Sequence, residues 1–267
     1  MEKIKKAIKF LLGEVNVYRL REMKNRVFPN HFVKKEMKEI EKRKAFYAQF
    51  VKEDDLVFDV GANIGNRVAP LLLIKARVVA VEPHDFCQKV LKLRFGKRID
   101  VVPMGLGEKE EVKEFYISDE SYLSSFSKSW IDSVKKERFR ENTWDNVRKV
   151  QMTTLDKLIG KYGKPAFIKI DVEGYEMEVL KGLNSGVKMI SFEYTTPEQT
   201  DRAISCVERI RSINPDIECN YSVGEGMNFE MDRFIGAEEM LKFINSDAFI
   251  QTGFGDIYVR WEGSQFF

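Results

Sequence analysis

The densest chemistry in the sequence is the stretch Phe167-Ile168-Lys169-Ile170-Asp171-Val172-Glu173-Gly174-Tyr175-Glu176, where carboxylates and a glycine follow an apolar run. Further on, Glu193 closes a second apolar run, Ile190-Ser191-Phe192-Glu193. A charge at the end of a buried strand is costly to desolvate, so Asp171 and Glu193 are read as functional. If their strands lie side by side, Asp171, Glu173 and Glu193 converge on one cleft. There one of them can take the proton of a reacting hydroxyl. The same three carboxylates could equally hold a hard cation such as Mg²⁺. The reading adopted is catalytic, with no metal assigned. Glu176 and Glu178 read as a solvated first helical turn favoured by the helix dipole.

The second stretch is Asp59-Val60-Gly61-Ala62-Asn63-Ile64-Gly65, at a strand-to-helix junction. In an open α/β sheet, ligands bind outside the carboxyl ends of the strands, and glycine lets a ligand approach the backbone. Glu82 ends the next strand, at the spacing where an acid accepts both hydroxyls of an adenosine ribose. Strand, glycine turn and acid together indicate a nucleoside cofactor. The dinucleotide fingerprint G-x-G-x-x-G needs a middle glycine for the pyrophosphate, and Asn63 stands in that place. Nicotinamide binding is therefore disfavoured. The acid that enters the turn, Asp59, suits the positive charges of S-adenosylmethionine.

These motifs need elements to hold them. From Leu56 onward, short apolar strands alternate with helical segments, the pattern of an α/β fold with a parallel sheet. Strands are expected at residues 56–60, 78–81, 100–103, 111–117, 147–152, 166–170 and 187–192. Helices are expected at about 65–75, 85–95, from 155, and at 175–183. A helix from Pro197 to Ser212, antiparallel strands at 217–223 and 256–261, and a helix at 237–244 finish the chain. Thr153-Thr154-Leu155-Asp156 reads as a helix cap. Residues 118–146 interrupt the rhythm at a length unusual for a connection, and are expected to form a lid. Their aromatics, Trp130, Phe139 and Trp144, suit either a core or a sugar-stacking face.

Residues 1–52 differ in charge, with 15 basic residues against 6 acidic, whereas the remainder has 29 against 36. Ile4, Ala7, Ile8, Leu11 and Leu12 recur at helical spacing, Pro29-Asn30 marks a break, and residues 32–50 read as a longer amphipathic helix. This extension suits either a packing helix pair with solvated lysines or a peripheral contact with an anionic membrane. The α/β domain that carries both acidic motifs would then span residues 53–267.

Whole-chain composition narrows the classes. The formal charge of +2 gives no reason to expect a dedicated nucleic-acid binder. Two histidines, and three cysteines without C-x-x-C spacing, exclude a structural zinc site and a three-histidine zinc site. The odd thiol count, and the lack of both a membrane-length apolar run and a signal-peptide pattern, lead to an expected cytoplasmic location.

With these residues in hand, the sequence resembles the FkbM family of S-adenosylmethionine-dependent methyltransferases, whose hallmark is a lysine-containing strand running into Asp-x-Glu-Gly-x-Glu. Residues 168–176 match that hallmark. Residues 59–65, Val81-Glu82-Pro83, Gly105-Leu106-Gly107, Ser124-Ser125-Phe126, Thr153-Thr154-Leu155-Asp156, Val179-Leu180-Lys181-Gly182 and Phe192-Glu193 follow in the family's order. The resemblance covers roughly residues 56–194. Pro103-Met104-Gly105 departs from it, the family often having Asn before two small apolar residues.

The resemblance implies a Rossmann-like class I methyltransferase fold with a mostly parallel seven-stranded sheet. It also implies methyl transfer to a hydroxyl of a sugar, glycan or other small metabolite. By position, Asp59, Gly61, Ala62, Asn63 and Gly65 would hold the methionine end of the cofactor, Glu82 the ribose, and His84 and Met104 the adenine surroundings. Asp171 would also touch the cofactor, and Ser124 and Ser125 would begin the lid. An NAD-dependent sugar oxidoreductase and an inactive nucleotide-binding scaffold are the alternatives. The missing middle glycine opposes the first, and the carboxylates Asp171, Glu173 and Glu193 oppose the second.

Overall fold

The computed structural model describes residues 13–27, 31–136 and 138–261. The helix expected at Ile4 to Leu12 and the break at Pro29-Asn30 lie outside the described residues. Helices α1 (Glu14–Val27) and α2 (His31–Tyr47) precede the sheet. Lys34, Lys35, Lys38 and Lys42 of α2 face solvent. At its end Phe46, Tyr47 and Phe50 are fully enclosed and pack on Phe167 and Tyr258. The extension is thus continuous with the core at its last turn.

The large sheet has eight strands: β1 (Leu56–Val60), β2 (Arg77–Val81), β3 (Ile99–Val102), β7 (Phe167–Ile170), β8 (Met189–Thr195), β9 (Ile217–Val223), β10 (Ile235–Gly236) and β11 (Phe254–Trp261). Their spatial order is β10-β9-β11-β8-β7-β1-β2-β3. The expected seven-stranded sheet gains an eighth strand, the two-residue β10, too short to register as a pattern in the sequence, while the strands expected at 111–117 and 147–152 lie in a separate sheet. Strands β3, β2, β1, β7 and β8 are parallel neighbours, whereas β11 runs antiparallel between β8 and β9. Buried on both faces, the parallel strands read as nearly continuous apolar runs.

Strand alternation sorts side chains between two cores. Phe58, Val60, Ile168, Ile170 and Phe192 point to one layer, and Val57, Phe167, Met189 and Tyr258 to the other. The crossover helices include α3 (Val68–Leu73), α4 (Asp85–Phe95), α6 (Leu155–Tyr162), α7 (Glu176–Lys181) and α8 (Thr200–Ile213). As expected, α6 is capped by Thr154, whose Oγ1 accepts from the Lys157 N–H.

A second sheet sets β6 (Asn146–Thr153) between β4 (Gly105–Leu106) and β5 (Val112–Ile117). Residues 118–146 span the gap between the paired ends Ile117 and Asn146. They carry helix α5 (Lys128–Val134) and enclose their own cluster of Leu123, Trp130, Ile131, Val134 and Trp144. Trp130 and Trp144 are therefore core residues. Among the described residues, no helix is long and apolar enough to cross a membrane.

Candidate active site

Two turns at the carboxyl edge of the sheet build the site. In the first, after β1, the N–H groups of Gly61 and Ala62 both donate to the Val81 carbonyl, tying the turn to the end of β2. Gly61 has φ +83°, and a β-carbon there would overlap the Asp171 carbonyl of the second turn. Only glycine permits both the left-handed backbone and that approach. Glu82 braces this region from just beyond β2: one carboxylate oxygen accepts from the Asn63 N–H and the other from the His84 N–H, each at 2.7 Å. Burial pushes Glu82 up to about 7, while the two N–H bonds favour the charged form.

The second turn, after β7, carries the acidic motif. Glu173 adopts φ +55°. The turn is fixed from three sides. Glu176 Oε1 accepts from the N–H groups of Val172 and Gly174, both at 3.1 Å. Ser125 Oγ donates to the Glu173 carbonyl at 2.7 Å, and Arg202 donates to the Gly174 carbonyl. This corrects the reading of Glu176 as a solvated acid: it is 3% exposed and bridges the turn from within. Glu178 ion-pairs with Arg202 at 3.2 Å.

The carboxylates converge as their strand positions require. Asp171, Glu173 and Glu193 each present an oxygen to a group whose atoms all lie within 4.8 Å of one another. Burial, followed by the charge of Asp171, raises Glu173 and Glu193 well above the ordinary carboxylate range. Behind them, Lys169 Nζ lies 2.6 Å from Asp256 Oδ1 and 3.4 Å from Asp171 Oδ2. Burial opposes the lysine charge, but these two partners hold it protonated. Asp256 was not among the sequence-derived candidates. The signal that could have found it is the one that marked Asp171 and Glu193, an acid at the edge of an apolar strand.

Two clefts meet at the turns. The narrower is lined by Gly61, Asn63, Glu82, Met104, Ser124 and Asp171, with apolar walls from Val81, Pro83, Leu106 and Phe115. Its donor set fits a nucleoside with a cationic tail: apolar surface for a base, a fixed carboxylate for a diol, and acids at the far end. The wider, of about 650 Å³, is lined by Ala62, Arg67, Arg138, Asp171, Glu173 and Glu193, with Tyr122 and Phe254 exposed on its walls. That volume is ordinary for a small-molecule site.

Four expected site residues line neither cleft. Asp59 is 1% exposed within β1, where burial raises it to about 6 and its Oδ2 has no hydrogen-bond partner among the described residues. Gly65 is a packing position, since a β-carbon would overlap the Phe95 ring. His84 caps α4, its Nδ1 accepting from the Phe86 N–H. Ser125 is fully buried and braces Glu173 as described.

Residues 59–237 match the methyltransferase FkbM domain. Over 144 residues the chain is 30% identical to hexuronic acid methyltransferase AglP of Haloferax volcanii; the match spans 53% of this chain and 55% of that protein, so the chain spans about half the length of that relative. Among solved structures, an O-methyltransferase from Bacillus cereus in complex with SAH aligns over 97% of both chains at 12% identity, with a TM-score of 0.41. A precorrin-6y C5,15-methyltransferase from Geobacter metallireducens aligns over 84% of this chain and 88% of its own, at 12% identity and a TM-score of 0.41. Likenesses this distant carry no argument about chemistry. The domain match does, since it takes in about two thirds of the residues and both acidic turns, and on that ground the chain belongs to the FkbM family of S-adenosylmethionine-dependent methyltransferases.

Proposed function

We propose that the enzyme transfers a methyl group to a hydroxyl of a sugar, with the narrower cleft holding the donor and the wider one the acceptor. The observation that carries this reading is the shared wall: Gly61, Asn63, Ser121, Tyr122, Asp171 and Glu173 line both clefts. An acceptor oxygen in one cleft can therefore approach the reacting carbon in the other directly. Glu82 has four acceptor sites, of which two are taken by backbone N–H groups, leaving two for the ribose hydroxyls. S-adenosylmethionine, when bound, would supply a methyl group on a cationic sulfur, a leaving group that becomes a neutral thioether as its bond to carbon gives way to the bond from the acceptor oxygen.

The residues of the chain then have two tasks, alignment and proton removal. Glu173 lines both clefts and lies in a carboxylate group whose proton affinity is raised, so it is the acceptor for the hydroxyl proton, with Glu193 sharing the charge. Asp171, 3.4 Å from Lys169, places its carboxyl group where the cationic donor would lie. Tyr122 and Phe254, 53% and 43% exposed in the wider cleft, offer apolar faces to a sugar ring. The hexuronic acid acceptor named for the Haloferax relative supports a sugar here.

The test is calorimetric titration with S-adenosylhomocysteine and, in parallel, NAD, followed by transfer of labelled methyl groups to a panel of hydroxylated sugars. Binding of the first ligand alone, with label recovered in a sugar ether, is expected. NAD binding, or label found only outside carbohydrates, would overturn the proposal.

A further inference from the structure

Beneath the carboxylates lies a buried polar layer that alignment and proton removal do not by themselves require. Lys169 is 1% exposed and Asp256 is 3% exposed, and their 2.6 Å ion pair joins β7 to β11 across the intervening β8. The pair has support on its far side, where Tyr258 Oη donates to Asp256 Oδ2 at 3.4 Å. On its near side, Lys169 Nζ reaches Asp171 Oδ2 at 3.4 Å. Other charged or titratable groups acting on this cluster include Asp59 from β1, Arg67 after the first turn, Glu173 from the second turn, Glu193 and Tyr194 from β8, Glu225 after β9 and Tyr47 from α2.

Such a layer is costly to bury. Two hydrophobic residues in place of Lys169 and Asp256 would serve stability as well or better. Fold stability alone therefore does not account for the pair. Its geometry does have a use: a lysine held at 2.6 Å by one carboxylate, with the Ile170 carbonyl at 3.5 Å, has little freedom, and it fixes a positive charge 3.4 Å from the next carboxylate. Asp171, whose backbone abuts Gly61 and whose side chain is half-buried at the junction of the clefts, is the carboxylate so restrained.

We propose that Lys169 and Asp256 are positioning residues that fix the Asp171 carboxylate at the junction between the donor and acceptor clefts. The inference rests on the functional reading above, but its first test does not. In protein labelled with ¹⁵N-lysine, without cofactor or acceptor, the enclosed Lys169 Nζ gives a solvent-protected resonance identified by its loss in Lys169→Met. That resonance moves in Asp256→Asn and, separately, in Asp171→Asn. Failure of Asp171→Asn to move it refutes the contact and the proposal with it, whatever the enzyme methylates.

The second test is a double-substitution cycle on single-turnover methyl transfer. Asp256→Asn lowers the rate of transfer 10- to 100-fold while S-adenosylhomocysteine affinity and acceptor KM stay within twofold. In an Asp171→Asn background, the same change has less than a twofold further effect. An equal loss in both backgrounds would show that Asp256 acts only through general stability, and an unchanged rate would show that it does not act at all; either overturns the proposal. Unchanged cofactor affinity guards against misfolding, and Tyr258→Phe, which removes only the outer hydroxyl, should reproduce a milder form of the same pattern. Should Asp171→Asn itself keep the full rate, the role given to Asp171 fails, while the resonance shift still reports on the ion pair.

Discussion

Glu82 offers a quantitative test of cofactor binding. Its carboxyl is raised to about 7 by burial, and each oxygen already accepts one backbone N–H at 2.7 Å. Two ribose hydroxyls donating to the remaining acceptor sites favour the charged form, so binding should expel the proton that the free protein carries. At pH 6 the group is roughly 90% protonated and binding should release about 0.9 proton; at pH 8 it should release about 0.1. Affinity for S-adenosylhomocysteine should fall about tenfold per unit below pH 7. Glu82→Gln removes the titration and a charge-assisted bond, costing about 2 kcal/mol, or roughly thirtyfold, at pH 8. The assay is titration calorimetry at pH 6, 7 and 8 in buffers of differing ionisation enthalpy, with the Gln variant beside the native protein. The difference between the two proteins cancels any contribution from Glu173, Glu193 or the ligand. The reasoning is refuted if both release the same number of protons at pH 6, or if Glu82→Gln binds with native affinity at pH 8.

Four further outcomes follow from the geometry. Glu176 is raised from 4.5 to about 7, chiefly by burial, so the folded state binds its proton more tightly than the unfolded state. The stability it contributes is full below pH 4.5 and is lost as pH rises through 7, a change of about 3 kcal/mol. Glu176→Gln, which keeps an acceptor for the two N–H groups, should therefore raise the urea midpoint at pH 8 and leave it nearly unchanged at pH 4. Gly61→Ala, which combines φ +83° with overlap on the Asp171 carbonyl, should cost about 3 kcal/mol in denaturant unfolding. Tyr122→Ala and Phe254→Ala should each raise acceptor KM roughly fivefold, worth about 1 kcal/mol per lost ring contact, with S-adenosylhomocysteine affinity intact; an unchanged KM would remove the aromatic walls from the acceptor site. Glu173→Gln should lower the rate of transfer about 10²-fold or more with cofactor affinity preserved, and a full rate would leave proximity as the sole contribution of this turn.

Much of the sheet could be read from the chain because parallel strands are enclosed on both faces. Their apolar runs, Leu56–Val60 and Phe167–Ile170 among them, stand out against the amphipathic helices between them. The strands that escaped notice, Gly105–Leu106 and Ile235–Gly236, have two residues each and no period to detect. Helix α5 hid inside the 118–146 insertion because its apolar residues serve a small separate cluster. Strand-end position also indicated Glu82, Asp171 and Glu193, as a carboxylate is not left at the edge of a buried run without cause. Local reading fell short at Asp59, expected beside the cofactor, and at Glu176, expected in a solvated helical turn. Both belong to acidic motifs, but one side chain is enclosed within its strand and the other folds back to bridge its own turn.

The sequence by itself determined the order of elements, the two acidic turns and the family, because these follow from local patterning and from motifs only a few residues long. What only the tertiary structure decided is which acids share a site and which cation balances them. Asp256 lies 87 residues from Lys169 along the chain and meets it because β11 inserts antiparallel beside β8. Strand order across the sheet is set by packing between distant segments, and no local period records it. The same holds for Tyr47, which α2 buries where the charges of Asp59, Lys169 and Asp256 act on it. A buried charge is tolerable only where distant parts of the chain bring it a partner, and that pairing exists only in the folded protein.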